Sequence, residues 1–408
     1  MSFATREISA DEILDALDLS RAEPGAGFLE ALFARFNAKV PFENATKIMR
    51  DRDVSDPAQK PRGPDTFWGD HLALGTGGTC FARVAAFHWL LEALGFRSRR
   101  VLGRVVRDGD HAALMVATPA GECLVDVGFP LPALLPSRAG IVGTPAGDVE
   151  VVETALGFGV RFREGVPEGP RELEIFREPV PDERFAAVWR ETFRPGSRFL
   201  LEVCLRRDLG HRVLSWAAGE VRVDDRHSRL RVPVPSPGAI AEVFEVDPSV
   251  LSRAFAITGA PRGGGETASL SAYLETAAAP AEALAAIASP EGYRRLLDGV
   301  AEVVSAETLP DRFRLTLRPP GGGSDAPAIE DEVALAAASG RLAVARRGAS
   351  GGSFESCYRA IARNGRSYLV REAALPGRGE ELLRNDSLRG RLAGTLAVDL
   401  LAWARMLR

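Results

Sequence analysis

The sequence predicts an α+β protein made of two folded parts. Three observations predict it. Up to about residue 95, apolar residues recur at helical spacing, and from Arg99 onward they follow the pattern of strands. A glycine-rich stretch then precedes a second succession of strand, helix, further strands and a long final helix. We therefore expect one domain at 1–258, a linker at 259–267 and a second domain at 268–408.

Composition and charge are those of an ordinary globular protein. The 408 residues are 46% hydrophobic and 26% charged, which is enough material for two or three cores. The formal net charge of -4 argues against nucleic acid or an anionic membrane as the main partner. The chain starts without a basic segment and apolar core, and it has no run of about 20 apolar residues. We therefore expect no signal peptide and no membrane span.

The cysteines give no sign of a metal site. There are four, and they share no CxxC spacing: Cys80, Cys123, Cys204 and Cys357. Such isolated cysteines argue against a zinc site or a disulfide framework, and they fit a reducing, cytoplasmic location. We expect the last three to be small buried core residues.

The elements of the first domain follow in order. Helical spacing predicts helices over 9–20, 25–38 and 81–94. The segments "RRVLGRVVR", "HAALMVA" and "CLVDVGF", joined by the turns "DGD" and "TPAGE", predict a meander of short strands. Further strands and a short helix are expected beyond it, with strands at 149–163, 172–178, 197–207, 212–216 and 219–224 and the helix at 239–247.

The second domain has its own order of elements. "SLSAYLETAA" predicts a strand, and "PAEALAAIASPEGYRRLLDGV" predicts a helix. One long amphipathic helix, capped by Asn385 or Asp386, ends the chain. Between these helices the pattern predicts strands at 312–317, 330–337, 341–347, 354–361 and 366–373.

The stretch "GTGGTCFARVAAFHWLL" places Cys80 at the first turn of an apolar helix, behind glycines. Unpaired amides and the positive end of a helix stabilise a thiolate over a thiol. Glycines let a substrate carbonyl approach closely, and the amides of Gly78 and Cys80 can point at an oxyanion. A cysteine nucleophile for acyl transfer needs this environment and a general base. The structural alternative is a small buried cysteine.

His111 and Asp126 are the candidate base and its orienting carboxylate. His111 follows a tight turn, and Asp126 lies in an apolar strand, where a carboxylate needs a partner. Alternatively, His111 is an exposed turn residue and Asp126 caps a neighbouring backbone segment. A tight turn at 118–122 pairs Asp126 with Leu114, roughly 10 Å along the strand from His111. A bulge or a bend is therefore required to bring the two together.

Four strings stand in a recognisable order: "VPFEN" at 40–44, "GGTCF" at 77–81, His111 followed by "ALMV", and "LVDVGF" at 124–129. Over about residues 5–255 the chain resembles the arylamine N-acetyltransferase family. The resemblance implies the thiol-acyltransferase fold: a helical first subdomain, a β-barrel and an α/β lid.

The resemblance also implies a mechanism and its partners. Cys80, His111 and Asp126 would form the triad of a ping-pong reaction, with Phe42 and Phe129 at the substrate pocket and no metal. Cys80 would take an acyl group from acetyl-CoA or another acyl-CoA, which is a substrate and not a covalently bound cofactor. An arylamine, a hydrazine or another small-molecule amine would accept it.

Three departures from the family pattern leave alternatives open. Thr76 stands where the family usually has an arginine, and Ala82 stands where it usually has an acidic residue. After "DVGF", the sequence reads "PLPALLP" in place of a glycine-rich loop. An acyl donor other than acetyl-CoA is therefore credible. The alternatives are an amide synthase that uses an acyl-carrier-protein thioester, a thiol hydrolase, and a non-catalytic binding protein.

Residues 268–408 lie outside this resemblance. Their order of elements looks like the helix-grip fold of START-like and polyketide-cyclase-like proteins, which hold an apolar ligand between the sheet and the last helix. Tyr358 and Trp403 fit a ligand contact and a packed core equally well. The alternative is a structural or dimerising α+β module.

Overall fold

The computed structural model describes residues 8–119, 121–129, 133–144, 147–162, 172–217, 219–234, 236–259, 267–298, 301–318, 327–336, 340–347, 353–363 and 366–407. The chain divides into two compact units. The first contains the described residues up to Arg226 and those from Val234 to Gly259, and the second contains 227–233 and the described residues from 267 onward. Most of the expected linker, 260–266, and the predicted turn between the last two strands lie outside the described residues.

The described part of the first unit has eight helices, five of which contribute to one apolar core. Their bounds are α1 Ala10–Ala16, α2 Ala26–Lys39, α3 Ala45–Asp53, α4 Pro64–Leu74, α5 Cys80–Ala93, α6 Asp182–Glu191, α7 Pro237–Phe244 and α8 Pro248–Thr258. Ser9 and Glu12 form a capping box that starts α1. Proline at the first turn starts α4, α7 and α8, where its missing N–H costs nothing. Helix α5 lies at the centre, and ten of its residues are buried.

The strands of the first unit form two antiparallel sheets. Their bounds are β1 Phe42–Glu43, β2 Ser98–Arg104, β3 Asp108–Thr118, β4 Gly121–Val125, β5 Leu135–Pro136, β6 Gly140–Thr144, β7 Gly147–Glu153, β8 Gly157–Phe162, β9 Glu172–Pro179, β10 Leu205–Asp208, β11 Val213–Ala217 and β12 Glu220–Asp224. The larger sheet has the order β5-β4-β3-β2-β9-β8-β7-β6, and the smaller one has the order β1-β10-β11-β12.

The larger sheet encloses a core of its own, as a barrel does. Residues from its two ends and its middle, including Met115, Leu135 and Val149, belong to one buried cluster. The opposite face of β3 contributes Ala112 and Leu114 to the helical core instead. Strand β3 is therefore buried on both faces, and a residue on it is held firmly against α5.

The second unit is a single antiparallel sheet with helices. The strands are β13 Ser228–Pro233, β14 Ala268–Thr276, β15 Glu302–Thr308, β16 Arg312–Arg318, β17 Ile329–Ala336, β18 Arg341–Arg347, β19 Ser353–Arg363 and β20 Arg366–Leu375. The helices are α9 Pro280–Ala285, α10 Pro290–Leu296, α11 Gly379–Arg384 and α12 Asp386–Met406. Within this unit the strand order is β13-β14-β20-β19-β18-β17-β16-β15, and α12 contacts β14 and β20.

Tyr358 and Trp403 lie in the core of the second unit. Their rings meet edge to face at 5.6 Å, and Tyr293 meets Tyr358 at 6.0 Å. The indole Nε1 of Trp403 donates to the carbonyl of Ala283 at 2.8 Å. These aromatic residues pack against each other between the sheet and the helices. The helix-grip assignment and the apolar ligand stay predictions.

The strand expected at 149–163 is two strands, β7 and β8, and three other predicted elements differ because of a hydrogen bond, a cap or a proline. The strand expected at 197–207 is confined to β10, because the Asn44 amide donates to the carbonyls of Phe199 and Glu202 and holds that backbone in a turn. The long final helix breaks at Asn385, whose side chain caps α12. The helix predicted from Pro280 onward is divided in two by Pro290, which follows the N-cap Ser289.

Among the described residues, no helix is both long enough and apolar enough to cross a membrane.

Candidate active site

The glycine loop before Cys80 is fixed by hydrogen bonds to its backbone. The ring Nδ1 of His71 lies 2.9 Å from the carbonyl oxygen of Thr76, and the Arg62 guanidinium donates to the carbonyl of Gly77. Arg62 is buried and also forms an ion pair with Asp70 at 2.8 Å. The loop therefore has few other conformations available to it.

The segment "VPFEN" holds the other side of this loop. The amide of Gly78 donates to the carbonyl of Pro41 at 3.3 Å, and the amide of Glu43 donates to the carbonyl of Gly78 at 3.2 Å. A Cβ on Gly77 would stand 1.7 Å from the Pro41 oxygen, so only glycine permits this approach. Because its amide is already engaged, Gly78 is a poor oxyanion donor. The Cys80 amide, in the first turn of α5, is the better of the two predicted donors.

Cys80 is the first residue of α5, and only 6% of it is exposed. One turn later, the fully buried Arg83 donates from Nε to the carbonyl of Val127 at 2.6 Å and from Nη2 to Asn37 at 2.7 Å. It also donates to the carbonyl of Val40. Burial lowers the pKa of Arg83 to about 9, opposed by Asp126. Arg83 thus ties the nucleophile's helix to the chain that follows Asp126.

The structure brings His111 and Asp126 together. Nε2 of His111 lies 2.8 Å from Oδ2 of Asp126, and both side chains are buried. The other carboxylate oxygen of Asp126 accepts the amide of Phe129 at 2.7 Å. The carboxylate is therefore held on both oxygens, which fixes the ring that it contacts.

A register prediction was wrong by one residue, and the reason explains the contact. Leu114 pairs with Val125 and not with Asp126, because the hairpin closes with Thr118 opposite Gly121; β4 then ends at Val125, and Asp126 lies beyond the ladder. On the other side, His111 pairs with Gly103 while the next pair is Arg104 with Asp108, an irregularity in the ladder. The bend after β4 and this irregularity supply the departure from a regular ladder that the sequence requires.

The triad has a distinct electrostatic character. Burial alone lowers the pKa of His111, but the Asp126 carboxylate and a hydrogen bond to Cys80 outweigh it and raise this pKa to about 10. At neutral pH the ring is therefore an imidazolium. The arrangement can perform nucleophilic attack and return a proton.

Gly128 packs directly on the nucleophile. A Cβ at this position would stand 2.8 Å from the Cβ of Cys80 and 2.5 Å from the carbonyl oxygen of Ala112. The turn after Asp126 therefore fits against Cys80 without room for a methyl group. This close fit sets the spacing between Cys80 and the turn that follows Asp126.

Phe42 and Phe129 both lie near Arg206, which pairs with Phe42 in the sheet. Phe42 lies beside Gly78 through a single bridge and meets Phe199 at 5.6 Å between ring centroids. Phe129 follows the Asp126 turn, and the Arg206 guanidinium lies over its ring at 5.3 Å. Both rings are half-buried. Their assignment to the substrate pocket stays a prediction.

Sequence reasoning missed two buried cations near Cys80 besides Arg83. One is Arg62, whose Nη1 lies 3.4 Å from Oγ1 of Thr76. It gives the loop a guanidinium although position 76 carries none. The other is Lys47, only 6% exposed. The sequence does hold a sign of Arg83, because an arginine stands inside an otherwise apolar helix. For Lys47 the only sign is that lysine is rare in this chain, which has three.

Comparison with known proteins concerns the first unit. Residues 27–140 match the family model described as N-acetyltransferase. An arylamine N-acetyltransferase from Mycolicibacterium smegmatis is 33% identical over 120 residues, which are 27% of this chain and 42% of that protein. One from Escherichia coli is 31% identical over 109 residues, 25% of this chain and 36% of that protein. These matches span less than half the length of either relative.

Solved structures match over a longer range. The M. smegmatis arylamine N-acetyltransferase superimposes on this chain with a TM-score of 0.54 and 21% sequence identity. The superposition covers 62% of this chain and 100% of the M. smegmatis chain. The Mycobacterium marinum enzyme in complex with CoA gives 0.52 and 18%, covering 60% of this chain and 97% of that one. The first unit has the arylamine N-acetyltransferase fold. The resemblance and the thiol-acyltransferase fold predicted from the sequence are confirmed.

Proposed function

We propose that this chain is an N-acyltransferase that moves an acyl group from a CoA thioester to an arylamine-type amine through Cys80. The observation that carries the proposal is the contact of His111 with Asp126 at 2.8 Å, at a ring whose pKa is also raised by Cys80. The match to the N-acetyltransferase model over 27–140 supports the same reaction, since it contains all three residues.

The first half of the reaction loads Cys80. The Sγ thiolate attacks the thioester carbonyl, and the backbone amide at the start of α5 stabilises the oxyanion that forms. The C–S bond to CoA then breaks, and the His111 imidazolium supplies the proton that the leaving thiolate takes up. The products are free CoA and an acyl-Cys80 thioester, with His111 neutral.

The second half transfers the acyl group to nitrogen. A neutral amine attacks the carbonyl of acyl-Cys80, and His111 accepts the proton that the nitrogen loses. The C–Sγ bond breaks, the amide leaves, and the thiolate–imidazolium pair is restored. Asp126 stays ionised throughout and keeps the ring in one orientation. CoA leaves before the amine reacts with the acyl-enzyme, which makes the mechanism ping-pong.

The competing functions differ in which thioester forms the acyl-enzyme and in which molecule takes the acyl group from it. A hydrolase would release the acyl group to water, and an amide synthase would load Cys80 only from a carrier-protein thioester. A binding protein would form no acyl-enzyme. The hydrogen bonds that Asp126 makes with His111 and with the Phe129 amide favour catalysis over the last of these.

The test is steady-state CoA release from acetyl-CoA, with and without an arylamine or arylhydrazine. We expect release that depends on the amine, an N-acetylated product, and parallel lines in double-reciprocal plots. Cys80→Ala should abolish turnover. Release at the same rate without an amine would establish a hydrolase and refute the proposal. No release with any amine, while Cys80 remains reactive, would also refute it.

A further inference from the structure

The loop 77–80, which leads into the nucleophile, is held at each of its three peptide groups. The carbonyls of Gly78 and Thr79 accept from backbone amides at 3.2 and 3.0 Å. Almost any residue can supply a backbone amide. The carbonyl of Gly77 instead accepts from the Arg62 guanidinium. The first peptide group of the loop therefore depends on one particular side chain for the hydrogen bond to its oxygen.

Arg62 reaches this carbonyl from a fixed position. Only 4% of the side chain is exposed, and its Nη1 pairs with Asp70 at 2.8 Å. The guanidinium lies over the ring of Phe67 at 5.0 Å, and its Nη2 lies 3.9 Å from the buried carboxylate of Glu43. A guanidinium is planar, with donors in fixed directions, so the pair with Asp70 sets the direction of the N–H that meets Gly77.

The guanidinium, the loop and the start of α5 pack directly on one another. A Cβ on Gly78 would stand 3.3 Å from Nη2 of Arg62 and 2.9 Å from the Cβ of Ala82, which lies in the first turn of α5. Without the guanidinium, the buried carbonyl of Gly77 would lose this donor. A buried carbonyl without a donor is costly, and rotation of its peptide group relieves the cost. Such a rotation would turn the rest of the loop, including the amide of Cys80.

We propose that Arg62 is a positioning residue for acyl transfer, which acts through the Gly77 carbonyl to aim the Cys80 amide at the oxyanion. An amide that points away from the oxyanion stabilises it less, although the sulfur is still there to react. Arg62 thus serves the step in which the carbonyl carbon becomes tetrahedral, and it does so without touching the substrate. The inference rests on the proposed acyl transfer at Cys80 and adds a residue outside the triad.

The experiment compares two reactions of the same sulfur in the full-length protein. Acylation by acetyl-CoA passes through an oxyanion, whereas alkylation by iodoacetamide takes place at a saturated carbon and forms none. The acylation rate constant at saturating acetyl-CoA is divided by the alkylation rate constant at the same pH, both from intact masses. We expect this ratio to fall about 10- to 100-fold in Arg62→Met, since removal of an oxyanion donor costs about 10²- to 10³-fold and here the amide is only misdirected. Arg62→Lys, which keeps the charge but not the planar fork, should give a ratio between the two.

The matched control is Arg389→Met in the second unit. Arg389 is also buried, and it donates to the Leu382 carbonyl at 2.7 Å and to Asp386 at 2.6 Å. This control should keep the wild-type ratio even if it lowers the melting temperature.

Equal changes of the two rates in Arg62→Met, as a role confined to stability or to the thiol would give, would overturn the proposal. A fall of the same size in Arg389→Met would also overturn it. If Arg62→Met does not fold, Arg62→Lys is the test, and a wild-type ratio in that variant would overturn the proposal. If the wild type is alkylated but not acylated, the proposed function itself fails, and the two failures are thus told apart.

Discussion

Replacing Asp126 with asparagine removes one charge and little else. The side chains have the same shape, and an asparagine oxygen can still accept the Phe129 amide, which lies 2.7 Å from Oδ1. The fold should therefore remain. The amide nitrogen, however, would face Nε2 of His111, now 2.8 Å from Oδ2, and would donate where the ring itself donates. The ring is then left neutral, with its proton on Nδ1 and with Nε2 accepting from the asparagine amide.

The size of the effect follows from the charge that is lost. The pKa of His111 is about 10 against an ordinary 6.5, and burial alone would lower it. The net difference corresponds to about 5 kcal/mol, and because burial opposes it, Asp126 and Cys80 together stabilise the imidazolium by more than this net value. General acid–base catalysis by a positioned side chain contributes about 10²- to 10⁴-fold, and we expect a loss in this range for Asp126→Asn.

The assay measures the rate of Cys80 acylation by acetyl-CoA, from intact masses in a quenched-flow series. The rate of alkylation by iodoacetamide is measured as a function of pH on the same variants. Asp108→Asn is the matched control. This aspartate is on β3, the strand of His111, is 68% exposed and pairs with Arg104. The control should acylate at the wild-type rate. If folded Asp126→Asn acylates within threefold of wild type, Asp126 does not orient His111 and the reasoning is refuted.

Three further predictions follow from the same structure. The folded-state pKa of His111, about 10, exceeds its unfolded value of 6.5, so the stabilisation is complete below pH 6.5 and is lost as the pH rises toward 10. The melting-temperature advantage of wild type over Asp126→Asn should therefore shrink across this window, and a constant advantage would contradict the pairing. Gly128→Ala should lower the free energy of unfolding by about 1–3 kcal/mol and slow acylation, because the new methyl group overpacks against Cys80. Gly140→Ala, where a Cβ has open space around it, should change neither quantity. Equal stability of the two variants would count against the close packing. A fragment of residues 1–258 should fold and become acylated at Cys80, because it contains all the candidate site residues. It should melt at a lower temperature than the full chain, because Leu230 loses its strand partner Leu270. An insoluble or molten fragment would argue against a domain boundary at 258.

The order of helices and strands in the first unit could be predicted because its periodicity is strong. Helix α5 is apolar almost throughout, and the strands of the meander β2 to β4 are separated by turn sequences that contain glycine and aspartate. The strand expected at 197–207 could not be judged locally, because a distant side chain, Asn44, captures its carbonyls. A hydrogen bond of that sequence separation leaves no local pattern.

The candidate triad was found, but its geometry was not. The spacing of His111 and Asp126 argues against contact in a regular ladder, and only the end of β4 and the irregularity beside His111 permit it. The cations that surround Cys80 were missed for a similar reason. Arg62 and Lys47 lie in polar stretches of sequence, and burial by elements far along the chain gives them their importance.

The most direct test of the account is the intact mass of the protein after brief incubation with acetyl-CoA and no amine. The account predicts a gain of one acetyl group, absent from Cys80→Ala, and a return to the original mass when an arylamine is added. An unchanged mass in the presence of acetyl-CoA, or an equal gain in Cys80→Ala, would contradict the claim that Cys80 carries the acyl group.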